Sequence, residues 1–210
     1  RAASNLEAEG LSDKSAQIVN VGDVMQDAAL LFAKKAVLPS NISLPEDYIL
    51  ATIHRAENTD NPYRLVQIVE AMNVIHREQA PIVTPLHPRT KRLITESHID
   101  IDYKFLKIIE PVGYLEMQGL IKNSNFVITD SGGLQKEAFF ANKPCITLRG
   151  ETEWVETLEY GMNRLFLPNS DNILLEIVDQ ILNNKPTYPS SFLPYGKGDA
   201  SKKIVKEIIQ

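Results

Sequence analysis

The chain has 210 residues, a formal net charge of −5, and apolar and charged fractions of 43% and 23%. These values are typical of a globular protein of one large domain, or of one domain and part of another, and the acidic balance argues against nucleic acid or an anionic membrane as a partner. No apolar run reaches the roughly 18 to 20 residues that cross a bilayer. Since Cys145 is the one cysteine, a disulfide within the chain is excluded, and we expect a reducing, cytoplasmic location.

Short apolar runs alternate with helical patterns along the chain. In chain order the predicted elements are strand 16–22, helix 24–36, strand 48–53, helix 62–79, strand 81–86, helix 89–97, strand 105–111, helix 114–124, strand 126–130, helix 133–141, strand 144–149, helix 152–161, strand 163–168, helix 171–184 and helix 200–210. The strands are short and rich in Ile, Val and Leu, as strands buried on both faces are. From residue 48 onward the alternation predicts an α/β fold with a Rossmann-like, doubly wound parallel sheet.

Five consecutive predicted strands end in polar, charged or glycine residues. The segments that follow them are HRAENTDNP, HPRTK, EPVGY, DSGG and RGETEW. Doubly wound sheets bind their ligands beyond the carboxyl ends of the strands. Two His, three Arg and a glycine pair on this edge therefore favour a binding site over a set of ordinary solvated loops.

The segment DSGG precedes a predicted helix. Gly132 and Gly133 lack side chains, so backbone N–H groups at the helix start can approach an anion, and the helix dipole adds to the attraction. Ser131 supplies a hydroxyl. The alternative is a capped turn that needs glycine for its conformation. Glu137, further along the helix, is either a solvated carboxylate or an acceptor for ribose hydroxyls.

The segment HRAEN offers two donors to a diphosphate, His54 and the permanently charged Arg55, which Glu57 and Asn58 could orient. The competing interpretation is a helix cap before Pro62, formed by Asn58, Thr59 or Asp60.

In HPRTK, His87 is the better candidate for a site, whereas Arg89 fits a solvated basic turn equally well. Arg149 ends a strand near several carboxylates, where it could neutralise a phosphate, hold Glu153, or be paired only structurally. His76 and His98 fit structural roles, and no spacing of His, Cys and carboxylates indicates a metal site.

Five segments of the chain carry a family resemblance when they are taken together. They are TIHRAENTDNPYRL, PLHPRTKRL, EPVGYLEMQGLIKNSNFVITDSGGLQKEA, PCITLRGETEWVETLEYGMNRL and YGKGDASKKIV, in this order from about residue 18 to the end. The combination of His-Arg-x-Glu-Asn, Asp-Ser-Gly-Gly-x-Gln and Leu-Arg-x-x-Thr-Glu resembles the non-hydrolysing UDP-N-acetylglucosamine 2-epimerase family.

The resemblance implies a two-domain GT-B-like fold with its active site between two Rossmann-like halves, of which this chain is the C-terminal one. It implies a reaction at C2 of a UDP-linked 2-acetamido sugar, in which UDP is eliminated and adds back with C2 inverted. A base removes the C2 proton while the charge of the departing diphosphate is stabilised. No cofactor is implied, since UDP is retained and reused. The implied partners are a UDP-sugar and, at full length, a second copy of the chain.

The resemblance also assigns roles to individual residues. It implies catalytic roles for His54, Arg55 and Glu57. It implies substrate binding by Asn58, His87, Tyr114, Ser131, Gly132, Gly133, Glu137, Arg149 and Glu153. Within this set, Tyr114 would lie near the uracil and Glu137 would hold the ribose.

Two departures from the family pattern concern the sugar. Many members have Arg where this chain has Ala56, and Arg-Pro where it has Trp154 and Val155. Both changes remove an Arg near the sugar end of the site. The resemblance therefore extends to modified sugars such as a UDP-diacetamido-uronic acid.

The chain begins with Arg, and members of the family are nearly twice as long. We expect residues 1–24 to be the tail of a preceding domain and a linker, 25–195 a nucleotide-binding domain, and 196–210 a C-terminal helix. The catalytic base is expected in the preceding half, so that this chain alone binds UDP weakly without epimerising it. The alternatives are a GT-B glycosyltransferase and a non-catalytic module that binds nucleotide sugars.

Overall fold

The computed structural model describes residues 2–11, 17–96, 106–168 and 173–209. His98, the end of the predicted helix at residue 97, the start of the predicted strand at 105 and the first two residues of the predicted helix 171–184 lie outside the described residues. Within the described ranges, no helix combines the length and hydropathy of a segment that spans a bilayer.

Six parallel strands form a single sheet in the order β3-β2-β1-β4-β5-β6. The strands are β1 (Ile49–Thr52), β2 (Ile82–Pro85), β3 (Lys107–Ile109), β4 (Phe126–Thr129), β5 (Cys145–Thr147) and β6 (Asn163–Leu165). This order reverses between β1 and β4, as in a Rossmann-like doubly wound sheet. The α/β fold predicted from residue 48 onward is confirmed.

Nine α-helices and one 3₁₀ helix are present in the described ranges. They are α1 (Ala2–Ala8), α2 (Val24–Ala33), α3 (Ala56–Thr59), α4 (Pro62–Glu78), α5 (Pro88–Glu96), α6 (Tyr114–Asn123), α7 (Gly132–Phe140), the 3₁₀ helix (Val155–Gly161), α8 (Ile173–Asn184) and α9 (Ala200–Ile208). The sequence patterns did not predict α1 or the single turn α3. The predicted helix over 152–161 is present only as 3₁₀ turns over Val155–Gly161, with a break at Glu159 and a positive φ at Tyr160.

The predicted strand over 16–22 is also wrong. Its described part, 17–22, forms no strand and lies beside the C-terminal segment. The chain passes Tyr195 at Gly22, whose φ is +89° and where a Cβ would lie 2.9 Å from the Tyr195 carbonyl oxygen. Apolar content alone suggested a strand here, but the segment contacts the loop at Tyr195 and Gly196 instead of pairing with a strand.

Both faces of the sheet are covered, which explains the continuous apolar runs of the strands. One face buries alternate residues of β1, such as Ile49 and Ala51, against α4, α5 and α8. The other face buries Leu50 against α6 and α7. Cys145 belongs to this second face, and complete burial raises the pKa of its thiol to about 12. The apolar core therefore occupies the two faces of the sheet, and the polar segments named above follow the carboxyl ends of the strands.

Candidate functional site

The strand order places the candidate site between β1 and β4. At this point the connections from the two strands run in opposite directions along the sheet, which opens a crevice at their carboxyl ends. A cavity of about 230 Å³ lies there and is lined by His54, His87 and Ser131, among others. Three of the predicted site residues, from three different strand ends, are therefore brought together.

Asp130 joins the loops that follow β1 and β4. Its side chain is fully buried, and it accepts hydrogen bonds from the backbone N–H groups of His54 at 3.1 Å and Arg55 at 3.0 Å, and from Asn58 Nδ2 at 3.1 Å. Sequence reasoning did not include Asp130 among the site residues. The signal was present, because a carboxylate directly after a fully buried strand needs donors, and those donors had to come from a neighbouring strand end.

Asn58 faces the protein interior. It is 2% exposed, and its Nδ2 group donates both to Asp130 and to the carbonyl oxygen of Leu148 at 3.1 Å. It therefore ties together the ends of three strands, β1, β4 and β5. Its predicted contact with a substrate stays a prediction.

His54 lines the cavity, and Arg55 is the next residue of the same loop. The His54 side chain is 50% exposed, with Nδ1 3.6 Å from Asp130 Oδ1, so the imidazole is oriented by the buried carboxylate. Arg55 lies with Nη1 3.8 Å from Glu57 Oε1. The β1 loop thus offers one cation and one imidazole on a backbone that Asp130 holds.

The predicted anion cradle corresponds to the N-terminus of α7. Ser131 is the N-cap, and its hydroxyl oxygen accepts from the Leu134 N–H at 3.3 Å. Neither Gly132 nor Gly133 has a positive φ, and a Cβ at either position would meet its nearest neighbour at 3.9 Å. The turn therefore does not require glycine for its conformation. The two glycines instead leave the first N–H groups of the helix open to a ligand.

Tyr114 and Glu137 meet on the side of α7 that faces α6. Burial raises the pKa of the Glu137 carboxyl, while a hydrogen bond with the Tyr114 hydroxyl opposes that shift. Burial and the nearby Glu137 charge raise the pKa of Tyr114. The Tyr114 ring also packs edge-on against Phe32, at 5.6 Å between centroids. The Tyr114 ring of α6 and the Glu137 carboxylate of α7 are thus paired, and α7 is the helix whose N-terminus forms the predicted cradle.

Arg149 and Glu153 form a bidentate ion pair on the loop after β5. The two contacts are 3.0 Å and 2.9 Å, the Arg side chain is 7% exposed and the Glu side chain is 55% exposed. Hydrogen bonding from Arg149 lowers the pKa of Glu153 to about 2. The charge of Glu57 acts on Arg149 as well. The β1 and β5 loops therefore share one cluster of two arginines and two carboxylates.

His87, His76 and Arg89 have definite partners. His87 is exposed, and its Nδ1 accepts from the Arg89 N–H at 3.2 Å. The Arg89 guanidinium is paired with Asp60, in accord with the solvated basic turn. His76 accepts from the Ile82 N–H at 2.8 Å, which fits its predicted structural role. Among the described residues, no three His, Cys, Asp or Glu side chains are grouped as metal ligands.

A 3-2-1-4-5-6 parallel sheet with helices on both faces defines a doubly wound domain of the Rossmann-like class. The family model of the UDP-N-acetylglucosamine 2-epimerases matches residues 1–209. The chain belongs to this family.

Two curated relatives and one solved structure illustrate the relationship. The chain is 48% identical over 205 residues to the UDP-2,3-diacetamido-2,3-dideoxy-D-glucuronate 2-epimerase of Pseudomonas aeruginosa, with 98% of this chain and 56% of that protein covered. It is 39% identical over 216 residues to the UDP-N-acetylglucosamine 2-epimerase of Methanocaldococcus jannaschii, with 98% and 57% covered. The crystal structure of the M. jannaschii enzyme in complex with UDP-GlcNAc and UDP superposes with a TM-score of 0.82, at 38% identity, over 98% of this chain and 59% of that one. The chain thus spans little more than half the length of these relatives.

Proposed function

We propose that this protein acts as a UDP-sugar 2-epimerase and that these 210 residues hold the UDP moiety. The observation that carries the proposal is the junction between β1 and β4, where Asp130 holds the His54–Arg55 loop against the α7 cradle. The relative from M. jannaschii, of similar fold, has UDP-GlcNAc and UDP bound in its crystal structure. Membership of the epimerase family supports the reaction type.

The diphosphate is proposed to lie at the N-terminus of α7. The free N–H groups of Gly132 and Gly133, the Ser131 hydroxyl, His54 and Arg55 all present donors there. Stabilising the charge of a departing diphosphate is the largest demand of an elimination, and donors held in advance by the fold meet it without reorganisation. Glu57, 3.8 Å from Arg55, orients the guanidinium in this scheme.

The nucleoside is proposed to extend from the cradle towards Tyr114 and Glu137. The Tyr114 ring offers a surface for the uracil, and the Glu137 carboxylate offers an acceptor for ribose hydroxyls. His87, on the wall of the adjoining cavity, is assigned to the same nucleotide. The Arg149–Glu153 pair closes the opposite side of the crevice towards the sugar.

The sugar is proposed to be a UDP-2-acetamido sugar, and two candidates follow from the relatives. One is UDP-GlcNAc. The other is UDP-2,3-diacetamido-2,3-dideoxy-glucuronate, the substrate in the name of the 48% identical relative. For the full-length protein we further propose a cytoplasmic homodimer, whose mass light scattering measures.

The test combines binding and exchange with this chain alone. Calorimetry is expected to detect UDP binding, weakened about tenfold by Arg55→Ala and unchanged by Arg77→Ala, since Arg77 is an exposed residue of α4. Proton NMR in heavy water, with both candidate UDP-sugars, is expected to show no loss of the C2 proton signal, because the chain spans only about half of its active relatives. Absence of UDP binding would overturn the proposal. Exchange at C2 by this chain would support the epimerase and overturn the expectation of inactivity.

A further inference from the structure

A closed ring of hydrogen bonds lies directly behind the candidate site. Gln135, on α7, is completely buried, and its Oε1 accepts from the Thr152 hydroxyl at 2.7 Å and from Asn163 Nδ2 at 3.0 Å. The Thr152 oxygen accepts from the Trp154 N–H at 3.1 Å. Thr157 completes the ring, because its hydroxyl donates to the Trp154 carbonyl at 2.6 Å and accepts from Asn163 Nδ2 at 3.0 Å. None of these contacts was predicted from the sequence.

The ring joins two parts of the site that belong to different strands. Gln135 lies one turn beyond Gly132 on the same rigid helix, so it shares the position of the anion cradle. Thr152 lies between Arg149 and Glu153 on the loop after β5. A shift of Thr152 relative to Gln135 therefore moves the bidentate ion pair relative to the cradle.

The ring also retains a feature that is unfavourable for folding. Gln135 Nε2 is buried and has no hydrogen-bond partner among the described residues. A buried amide donor without a partner destabilises a fold, and such exceptions concentrate at functional sites. The hydrogen bonds of the Gln135 amide to Thr152 and Asn163 are thus made by its Oε1 atom, which accepts from both residues.

We propose that Gln135 is a positioning residue, which acts through the Thr152 hydroxyl to hold the 149–154 loop against the α7 cradle so that both contact one ligand. This inference rests on the proposed function, since the ligand is the UDP-sugar of that proposal. Gln135 itself touches no ligand in this arrangement. Its effect reaches the site only through the placement of Arg149 and Glu153.

The matched pair Thr152→Val and Thr152→Ser tests the inference in this chain. Valine removes the hydroxyl and serine keeps it, so we expect UDP binding to weaken roughly five- to tenfold in T152V and to stay at the wild-type level in T152S. Thr95→Val is the control, because the Thr95 hydroxyl is exposed and donates to the Lys91 carbonyl within α5. Calorimetry measures the three affinities. If T152V does not fold, Thr152→Ala carries the same test.

A second readout separates positioning from a general loss of stability. Carbon-13 NMR of the Glu153 carboxyl follows its titration in the folded protein. We expect the titration of Glu153 to move towards the ordinary range of a glutamate in T152V, and to remain strongly depressed in T152S and T95V. Unchanged titration and unchanged UDP binding in folded T152V would overturn the inference. Wild-type protein that binds no UDP would count against the proposed function, and the Glu153 titration alone would then decide the positioning role.

Discussion

Asp130 illustrates how one buried charge organises a site at the residue scale. Its carboxylate accepts from the two backbone N–H groups of His54 and Arg55 and from the amide of Asn58. A fully buried carboxylate is tolerated only when donors of this kind surround it. The geometry of the loop after β1 is thus determined by the residue that directly follows β4.

Asp130→Asn tests this role. The amide keeps the shape but replaces an acceptor oxygen with a donor that faces other donors, so we expect a loss of about 2–4 kcal/mol in the free energy of unfolding. Urea denaturation measures the change. Asp60→Asn is the control, because Asp60 is half exposed and its ion pair with Arg89 lies at the surface, and its effect is expected to stay within about 1 kcal/mol. Equal effects of the two substitutions would contradict the role of Asp130.

At the scale of elements, two glycines on neighbouring helices serve opposite purposes. Gly119 of α6 lies against the 34–38 segment, where a Cβ would be only 2.1 Å from the Val37 carbonyl oxygen. Gly133 of α7 has no such neighbour, because the nearest atom to its Cβ position is Met25 Cε at 3.9 Å. The first glycine permits packing, and the second leaves the end of a helix open.

The same substitution at both positions distinguishes these purposes. We expect Gly119→Ala to lower the free energy of unfolding by about 1–3 kcal/mol through steric overlap. We expect Gly133→Ala to leave stability unchanged or raise it by up to about 1 kcal/mol, since alanine favours a helix. UDP binding should nevertheless fall about tenfold in G133A, because the methyl group enters the anion cradle. Thermal unfolding and calorimetry measure the two effects, and unaltered UDP binding in G133A would contradict the cradle.

At the scale of the whole molecule, the segment at Gly22 and Asp23 crosses the segment at Tyr195 and Gly196. The Asp23 N–H donates to the Tyr195 carbonyl at 2.9 Å, and the Cα of Gly22 lies 3.4 Å from the Cβ position of Gly196. The Asp23 carboxylate also pairs with the ammonium group of Lys136, which is 1% exposed and lies 3.9 Å from the centre of the Trp154 ring. The Asp23–Lys136 ion pair therefore connects this crossing to α7, the helix whose N-terminus forms the cradle.

Asp27 of α2 attaches the C-terminal helix α9 to this crossing. Its carboxylate accepts from the Ala200 and Ser201 N–H groups and from the Ser201 hydroxyl, and these bonds to Ser201 are the main reason that its pKa lies below the ordinary value of 3.8. Because the pKa of Asp27 is lowered in the folded state, the stabilisation from this contact is fully present at pH values above the ordinary pKa of 3.8. This stabilisation is lost as the pH falls through the lower pKa that Asp27 has in the folded protein.

We therefore expect the start of α9 to open at acidic pH. Hydrogen exchange of the Ser201 amide, corrected for its intrinsic rate, should accelerate below the ordinary carboxyl pKa in the wild-type protein. Asp27→Ala should show the faster exchange at every pH. Lys202→Ala, an exposed change in the same helix, should behave as the wild type does. Exchange in D27A that still depends on pH in the wild-type manner would contradict the assignment to Asp27.

The local spacing of apolar and polar residues determined most of the secondary structure of this protein and its fold class. Buried strands rich in Ile and Val, amphipathic helices such as α4, and the capped turn at Ser131 follow from spacing and residue type, which act over a few residues. These signals were sufficient for the parallel α/β fold, for the polar edge of the sheet and for the family. They failed at 17–22, where apolar residues cover a crossing segment, and at the 3₁₀ helix, where a positive φ at Tyr160 interrupts the turn.

Only the tertiary structure determined which residues at the strand ends form hydrogen bonds and ion pairs with one another. Asp130, Gln135 and Lys136 obtain their partners from segments that are 17 to 113 residues away in the chain. Hydrogen bonds and ion pairs over such separations depend on strand order and on the exact depth of burial, and neither quantity is encoded in the periodicity of a short segment. The sequence determined which chemical groups reach the edge of the sheet, whereas only the packed fold determined which of them hold the others in place.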